Sequence, residues 1–161
     1  MPRLARRTAP VVALSAALAT LLAAPGAAGA DPAPQPGYRA AVVGGGKPHD
    51  AVEGTTWGTY ARLIDTATNR RVGEASIGCT VEKARAERLI AHCIHSLTVD
   101  GRGTLLIEGT HHYRDVTVMP GTADPMRLMV IGGTGAYARA SGTADATEAP
   151  GGYVYKINAV L

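Results

Sequence analysis

The chain has 161 residues, with 16 Lys+Arg against 13 Asp+Glu, and 46% of it is hydrophobic. Three of the basic residues, Arg3, Arg6 and Arg7, fall in the first 30 positions, which hold no acidic residue; 16 less 3 leaves 13 of each sign, a formally neutral remainder. No basic stripe is left to neutralise phosphates, which argues against nucleic acid as a partner, and the remaining length suits one domain.

Those 30 residues read as an export signal. Arg3, Arg6 and Arg7 form a basic start, residues 11–22 an apolar run, and Ala28-Gly29-Ala30 a small-x-small cleavage site before Asp31. The apolar run is too short and too alanine-rich for a comfortable membrane span, so no membrane association is expected after cleavage. Arg6-Arg7 hints at twin-arginine export, although the residues that follow give it little support. The signal helix is excluded from the fold, and the mature protein is expected to be secreted.

Residues 31–50 follow as a Pro/Gly-rich linker, with residues 38–43 able to add a short strand and Gly44-Gly45-Gly46 a loop. The domain proper is expected over residues 51–161. Residues 55–65 alternate, with Trp57, Thr59, Ala61 and Leu63 on one face and Tyr60, Arg62 and Ile64 on the other. Residues 68–70 turn the chain into a strand over 71–81, where Gly73 and Gly78 permit bends. Residues 82–86 form a polar connection, and 88–99 a long strand. Asp100-Gly101-Arg102-Gly103 is a hairpin turn, and 104–112 returns from it. Residues 120–125 make a loop, 126–131 a strand, and 141–147 and 153–160 a last hairpin across Pro150-Gly151-Gly152. Short strands separated by turn signals, with no amphipathic helix beyond the signal, predict an all-β barrel or sandwich.

Cys79 and Cys93 are the only cysteines. In an exported chain a disulfide is the default reading. Strands 71–81 and 88–99, joined as a hairpin, bring the two close to opposite each other. The bond would help a protein with no Phe and few aromatics to bury.

The glycine stretch Gly132-Gly133-Thr134-Gly135 follows an apolar strand and invites comparison with a dinucleotide fingerprint. That motif needs a following helix, a second parallel strand and an acidic residue about 20 positions on. Gly142 and Pro150 break any helix, and no βαβ unit fits before Leu161. The glycines instead turn a corner between two strands.

Several segments then line up in one order: residues 72–79 ending at Cys79, Arg88-Leu89 opening a strand, the turn at 100–103, residues 104–109, and Gly132-Gly133-Thr134-Gly135-Ala136-Tyr137 with Gly142 beyond it. Over residues 57–161 this resembles the allene oxide cyclase and dirigent barrel superfamily, and the Gly-Gly-Thr-Gly-x-aromatic corner is the most specific part. The resemblance implies an eight-stranded antiparallel, calycin-like barrel, often trimeric in the plant members, with a possible homo-oligomer (trimer or dimer) here. It also implies a shaped apolar lumen that steers the cyclisation or coupling of a reactive molecule by confinement, with no cofactor; separately, the histidines show no recognised ligand spacing, so no metal is expected and a four-histidine site is the weak alternative. Departures are specific. Ala61 stands where the cyclases hold an asparagine that positions a water, His111 where they hold a lumen tyrosine, and Ser141 where many dirigents carry arginine. Cys79 matches a lumen cysteine of the cyclases, but a bond to Cys93 removes its free thiol.

Strand alternation turns His95 and His111 into an otherwise apolar lumen, while His92 and His112 face outward. His95 and His111 are the candidate catalytic pair, able to act as general base or to orient a carbonyl; the plainer alternative is a hydrogen-bonded structural pair. Trp57, Thr59, Leu63, Leu89, Leu97 and Ile107 are the candidate ligand-binding wall. The expected partner is a small hydrophobic metabolite. Three readings stand: a cyclase- or dirigent-like catalyst, a lipocalin-like carrier without turnover, and a structural or inhibitor barrel filled by its own side chains.

Overall fold

The computed structural model describes residues 36–85, 88–113 and 126–161. The expected signal (residues 1–30), the start of the expected linker and the 120–125 loop lie outside the described residues. Eight strands run in chain order: β1 (Gly37–Gly45), β2 (Thr56–Asp65), β3 (Arg71–Arg85), β4 (Arg88–Val99), β5 (Gly103–Tyr113), β6 (Met126–Gly133), β7 (Ser141–Ala149) and β8 (Gly152–Val160). Each pairs antiparallel with the next, and β8 returns to β1, so the sheet closes. The expected all-β, eight-stranded antiparallel barrel is the observed fold. Closure removes the free strand edges that would otherwise template pairing with another chain.

The sequence forms this barrel because its apolar residues recur every second position. On β4, Leu89, Ala91, Cys93, His95, Leu97 and Val99 are all buried, while Ile94 and Thr98 between them are exposed. On β3, Ala75, Ile77, Cys79 and Val81 do the same. The inward sets meet in one core, with many small alanines and with tyrosines as its bulkiest members. Cys79 lies opposite Cys93 in the β3–β4 register, and the two are joined as a disulfide.

The strands run further than the sequence suggests. β1 lies within the stretch expected to be linker and pairs with both β2 and β8, so the barrel begins at Gly37 and not at residue 51. Small, weakly patterned residues hide this strand, because its identity comes from two neighbours distant in sequence. β3 also continues through the expected 82–86 connection. After a bulge between Val81 and Lys83, Lys83, Ala84 and Arg85 pair with Ile90, Leu89 and Arg88. Charged residues suit that exposed rim, so polarity there does not signal a loop.

The glycine corner is a turn, as expected, and carries a single 3-10 turn, Gly135–Tyr137. It packs backbone against backbone on the β4–β5 hairpin. The Thr134 N–H donates to the Thr104 carbonyl at 2.8 Å, and the Ala136 N–H to the Arg102 carbonyl at 2.8 Å. Gly135 has φ +59°, and a Cβ there would lie 2.4 Å from the Arg102 carbonyl oxygen. Only glycine meets both demands. The corner thereby drops Tyr137 fully inside one end of the barrel, with the Arg102 guanidinium 5.2 Å over its ring centroid.

Two outcomes follow. Gly135→Ala should lower stability by about 1–3 kcal/mol. Gly151→Ala, also at positive φ but with open space around it, should cost distinctly less, as read from urea midpoints of the two variants. Replacing both cysteines by alanine should cost about 3 kcal/mol, the scale for a closed loop of this length. Reductant should then no longer shift the unfolding midpoint of that variant, whereas it should shift that of the native chain.

Candidate functional site

With no phenylalanine in the chain, tyrosine fills the barrel: five of its six tyrosines, Tyr38, Tyr113, Tyr137, Tyr153 and Tyr155, are buried. Each brings in a hydroxyl that needs a partner. At the corner end the Tyr38 and Tyr137 hydroxyls lie 3.4 Å apart. Toward the other end the partners are the two histidines.

His95 on β4 and His111 on β5 both point into the lumen and are fully buried. Their Nε2 atoms lie 2.9 Å apart. The Tyr155 hydroxyl lies 2.7 Å from His95 Nδ1, and the Tyr113 hydroxyl 3.2 Å from His111 Nδ1. Tyr153 lies beside both imidazoles, its ring centroid 5.9 Å from that of His95 and 6.1 Å from that of His111. Glu148 is half-buried and sits opposite Tyr153 in the β7–β8 register. Edge-on ring contacts lock the set: His95 meets Tyr153 at 88° and Tyr155 at 79°.

Electrostatics keep the two histidines and the tyrosines around them uncharged around neutral pH. Burial, with His111 alongside, holds His95 well below the ordinary imidazole range. Burial first, then His112 and His92 nearby, lowers His111 to about 4. Burial, with the Glu148 charge beside it, pushes Tyr153 up to about 12, and burial also raises Tyr113 and Tyr155. All four imidazole nitrogens are engaged, so the pair offers no ring nitrogen to a metal. Among the described residues no group of three or more potential metal ligands gathers.

Beside this network, at the end opposite the glycine corner, lies a cavity of about 160 Å³ lined by Val42, Gly45, Gly46, Lys47, Trp57, Thr59, Gly151, Gly152 and Tyr153. Four of the nine lining residues are glycines: Gly46 and Gly151 face open space, whereas a Cβ on Gly45 or Gly152 would strike the Gly58 or Ala40 carbonyl. Tyr153 belongs to both features. A larger groove, about 680 Å³, lies on the outer wall around Arg88, His92, Glu108, His112 and Arg127 and shares no lining residue with the cavity.

The expected ligand wall divides. Trp57 and Thr59 line the cavity, while Leu63, Leu89, Leu97 and Ile107 are fully buried in packed core. The candidate pair His95 and His111 are together in the lumen but do not line the cavity. Reading the sequence picked out neither the three tyrosines nor Glu148. The same alternation, extended over β8, turns Tyr153, Tyr155 and Ile157 inward, and the turn at Pro150-Gly151-Gly152 brings Glu148 back opposite Tyr153.

No protein-family model matches the chain, and no curated protein matches it. Among solved structures, a pyocyanin demethylase is similar, with a TM-score of 0.61 and 18% sequence identity, over 77% of this chain and 98% of that one. At that identity the likeness carries the fold.

The neutral histidines give stability a definite pH dependence. A folded-state value below the unfolded one means stability is fully present above pH 6.5 and is lost as the pH falls toward 4. For His111 alone the difference corresponds to about 3 kcal/mol. Urea unfolding between pH 7 and pH 4 should show a loss of this order, and His111→Gln should flatten it while costing about 1–3 kcal/mol at pH 7.

Proposed function

We propose that this barrel is an exported protein that holds a small apolar molecule in the Trp57 cavity. The observation that carries the reading is the cavity itself: a pocket with an indole wall, open beside a buried and fully hydrogen-bonded His–Tyr network. Its volume is close to the roughly 150 Å³ that accommodates benzene in an engineered apolar cavity and well below the range of about 300–1,000 Å³ typical of drug-sized sites. The occupant is therefore about one ring in size, or one ring of a larger molecule whose remainder stays outside. The pyocyanin demethylase of similar fold is named for acting on pyocyanin, which supports a ligand-handling role for a barrel of this shape. The buried disulfide is compatible with an extracellular location, and no helix among the described residues is long and apolar enough to cross a membrane.

The cyclase- and dirigent-like resemblance supplies the catalytic form of this reading. A reactive molecule seated against Trp57 would be held in one conformation, and confinement would select its product. Without turnover the same cavity makes a carrier. A filled structural barrel is the competing reading, favoured by the complete burial of Leu63, Leu89, Leu97 and Ile107.

Trp57 is the sole tryptophan and so reports on its own cavity. Titration with benzene, phenol and indole should change its emission saturably, and Thr59→Phe, which places a ring in the space, should abolish the response with the fold intact. Native mass spectrometry of protein from its own host should show a retained small molecule. A flat titration together with an empty native protein would leave the filled barrel as the reading.

A further inference from the structure

Three hydrogen bonds run in line through the lumen: Tyr155 Oη with His95 Nδ1 at 2.7 Å, His95 Nε2 with His111 Nε2 at 2.9 Å, and His111 Nδ1 with Tyr113 Oη at 3.2 Å. Burial keeps both rings neutral at neutral pH, so each carries one ring proton and offers one lone pair. One proton, and only one, fits between the two Nε2 atoms. The rings are therefore opposite tautomers, and only two arrangements exist. In the first, Tyr155 donates to His95, His95 to His111 and His111 to Tyr113. In the second, every bond runs the other way. Either arrangement spends the hydroxyl proton of one end tyrosine and leaves that of the other unspent.

Two independent observations select the first. Hydroxyl donors make shorter bonds than N–H donors. The 2.7 Å bond at Tyr155 suits an O–H donor, and the 3.2 Å bond at Tyr113 suits an N–H donor. Reversal would make a hydroxyl the donor in the longest bond of the line. The unspent proton also needs an outlet, because a buried donor left without an acceptor costs the desolvation of its group. Tyr155 is fully enclosed, at 0% exposure, whereas Tyr113 keeps 5%. Tyr113 is the last residue of β5, at the barrel end that holds the cavity. Its ring lies 6.2 Å from that of Trp57, which lines that cavity.

We propose that the line is polarised from Tyr155 to Tyr113, with His95 protonated on Nε2 and His111 on Nδ1, and that it ends at the cavity end in a hydrogen-bond donor, the Tyr113 hydroxyl. Both imidazole lone pairs are then spent inside the line, so neither histidine is a general base toward the lumen. The network instead presents a phenol whose oxygen already accepts from His111, and that bond strengthens its O–H as a donor. So oriented, it hydrogen-bonds an electron-rich oxygen, such as a water, a carbonyl or a phenolate, and takes no proton from an occupant. The proton positions stand on the bond geometry and do not depend on whether the cavity takes a ligand.

Long-range ¹H–¹⁵N NMR of the histidine side chains at neutral pH reads which ring nitrogen carries the proton. Each ring is assigned through its bonds to its own backbone, so no variant has to fold. The native chain should show His95 protonated only on Nε2 and His111 only on Nδ1. The reverse pair, both rings in one tautomer, or two sets of comparable population would overturn the proposal. The hydroxyl protons give a second reading. That of Tyr155 should appear as a slowly exchanging resonance with a cross-peak to His95, and that of Tyr113 should be lost to exchange with water. A protected Tyr113 hydroxyl with the Tyr155 one missing would show that the line runs the other way. Trp57 titration of the same samples tests the cavity separately. A flat titration with these tautomers in place would remove the cavity reading and leave this one standing.

Discussion

Everything inside this barrel answers to one constraint: a tyrosine placed in a closed, apolar lumen must bond its hydroxyl or lose the desolvation free energy of that group, on the order of 1–3 kcal/mol. A chain with phenylalanine could fill the same space without obligation. This one contains none, and its largest fully buried side chains are Tyr137 and Tyr155. The polar pairs follow. Tyr38 and Tyr137 satisfy each other at one end, and at the other His95 and His111 bridge Tyr155 to Tyr113. Imidazole suits the bridging role because it donates on one side and accepts on the other while staying neutral.

The two ends of the barrel are built differently as a result. At the corner end, glycine lets two backbones touch, and the space behind them is filled by Tyr137 under Arg102. At the opposite end, β1 shifts register against β2 between Val42 and Gly44 before pairing resumes at Gly44 and Gly45. Gly46 and Gly151 there face open space, and a cavity remains beside Trp57. Closing one end tightly while leaving room at the other gives the barrel an internal space next to its polar network. Low dielectric makes that network strong when every member is bonded and costly when one is not, so the same arrangement both orders the core and limits which side chains it tolerates.

Much of this was legible in the sequence, and what was missed has a physical pattern. Period-two alternation is local, so the strands, the inward setting of His95 and His111 and the outward setting of His92 and His112 could all be read from single segments. The Cys79–Cys93 bond followed from a hairpin of known register. β1 was underestimated because Ala40, Ala41 and Val42 resemble linker until β2 and β8 are placed on either side of them. The network escaped for a similar reason. Tyr155 meets His95 across 60 residues, and no local pattern announces a contact between strands that are not neighbours in the sheet. Glu148 lies two residues before the Pro150 turn and drew no reading from the sequence, since only its pairing with Tyr153 brings it beside the lumen.

The candidate ligand wall shows how alternation alone overpredicts a site. Inward direction placed Leu63, Leu89, Leu97 and Ile107 with Trp57 and Thr59, yet the four aliphatics touch packed core while the other two line space. Whether an inward residue meets a neighbour or a void depends on side-chain volume on the facing strands, and here the decisive residues are those that contribute none. Gly46 and Gly151 form the part of the wall where a side chain would find open space, whereas Gly45 and Gly152 lie with their backbone against the Gly58 and Ala40 carbonyls. The barrel is thus filled where alanine, leucine and tyrosine interlock, and open where glycines cluster. The fold is the frame that such barrels have in common, and what fills or leaves open its interior is set residue by residue at its rim.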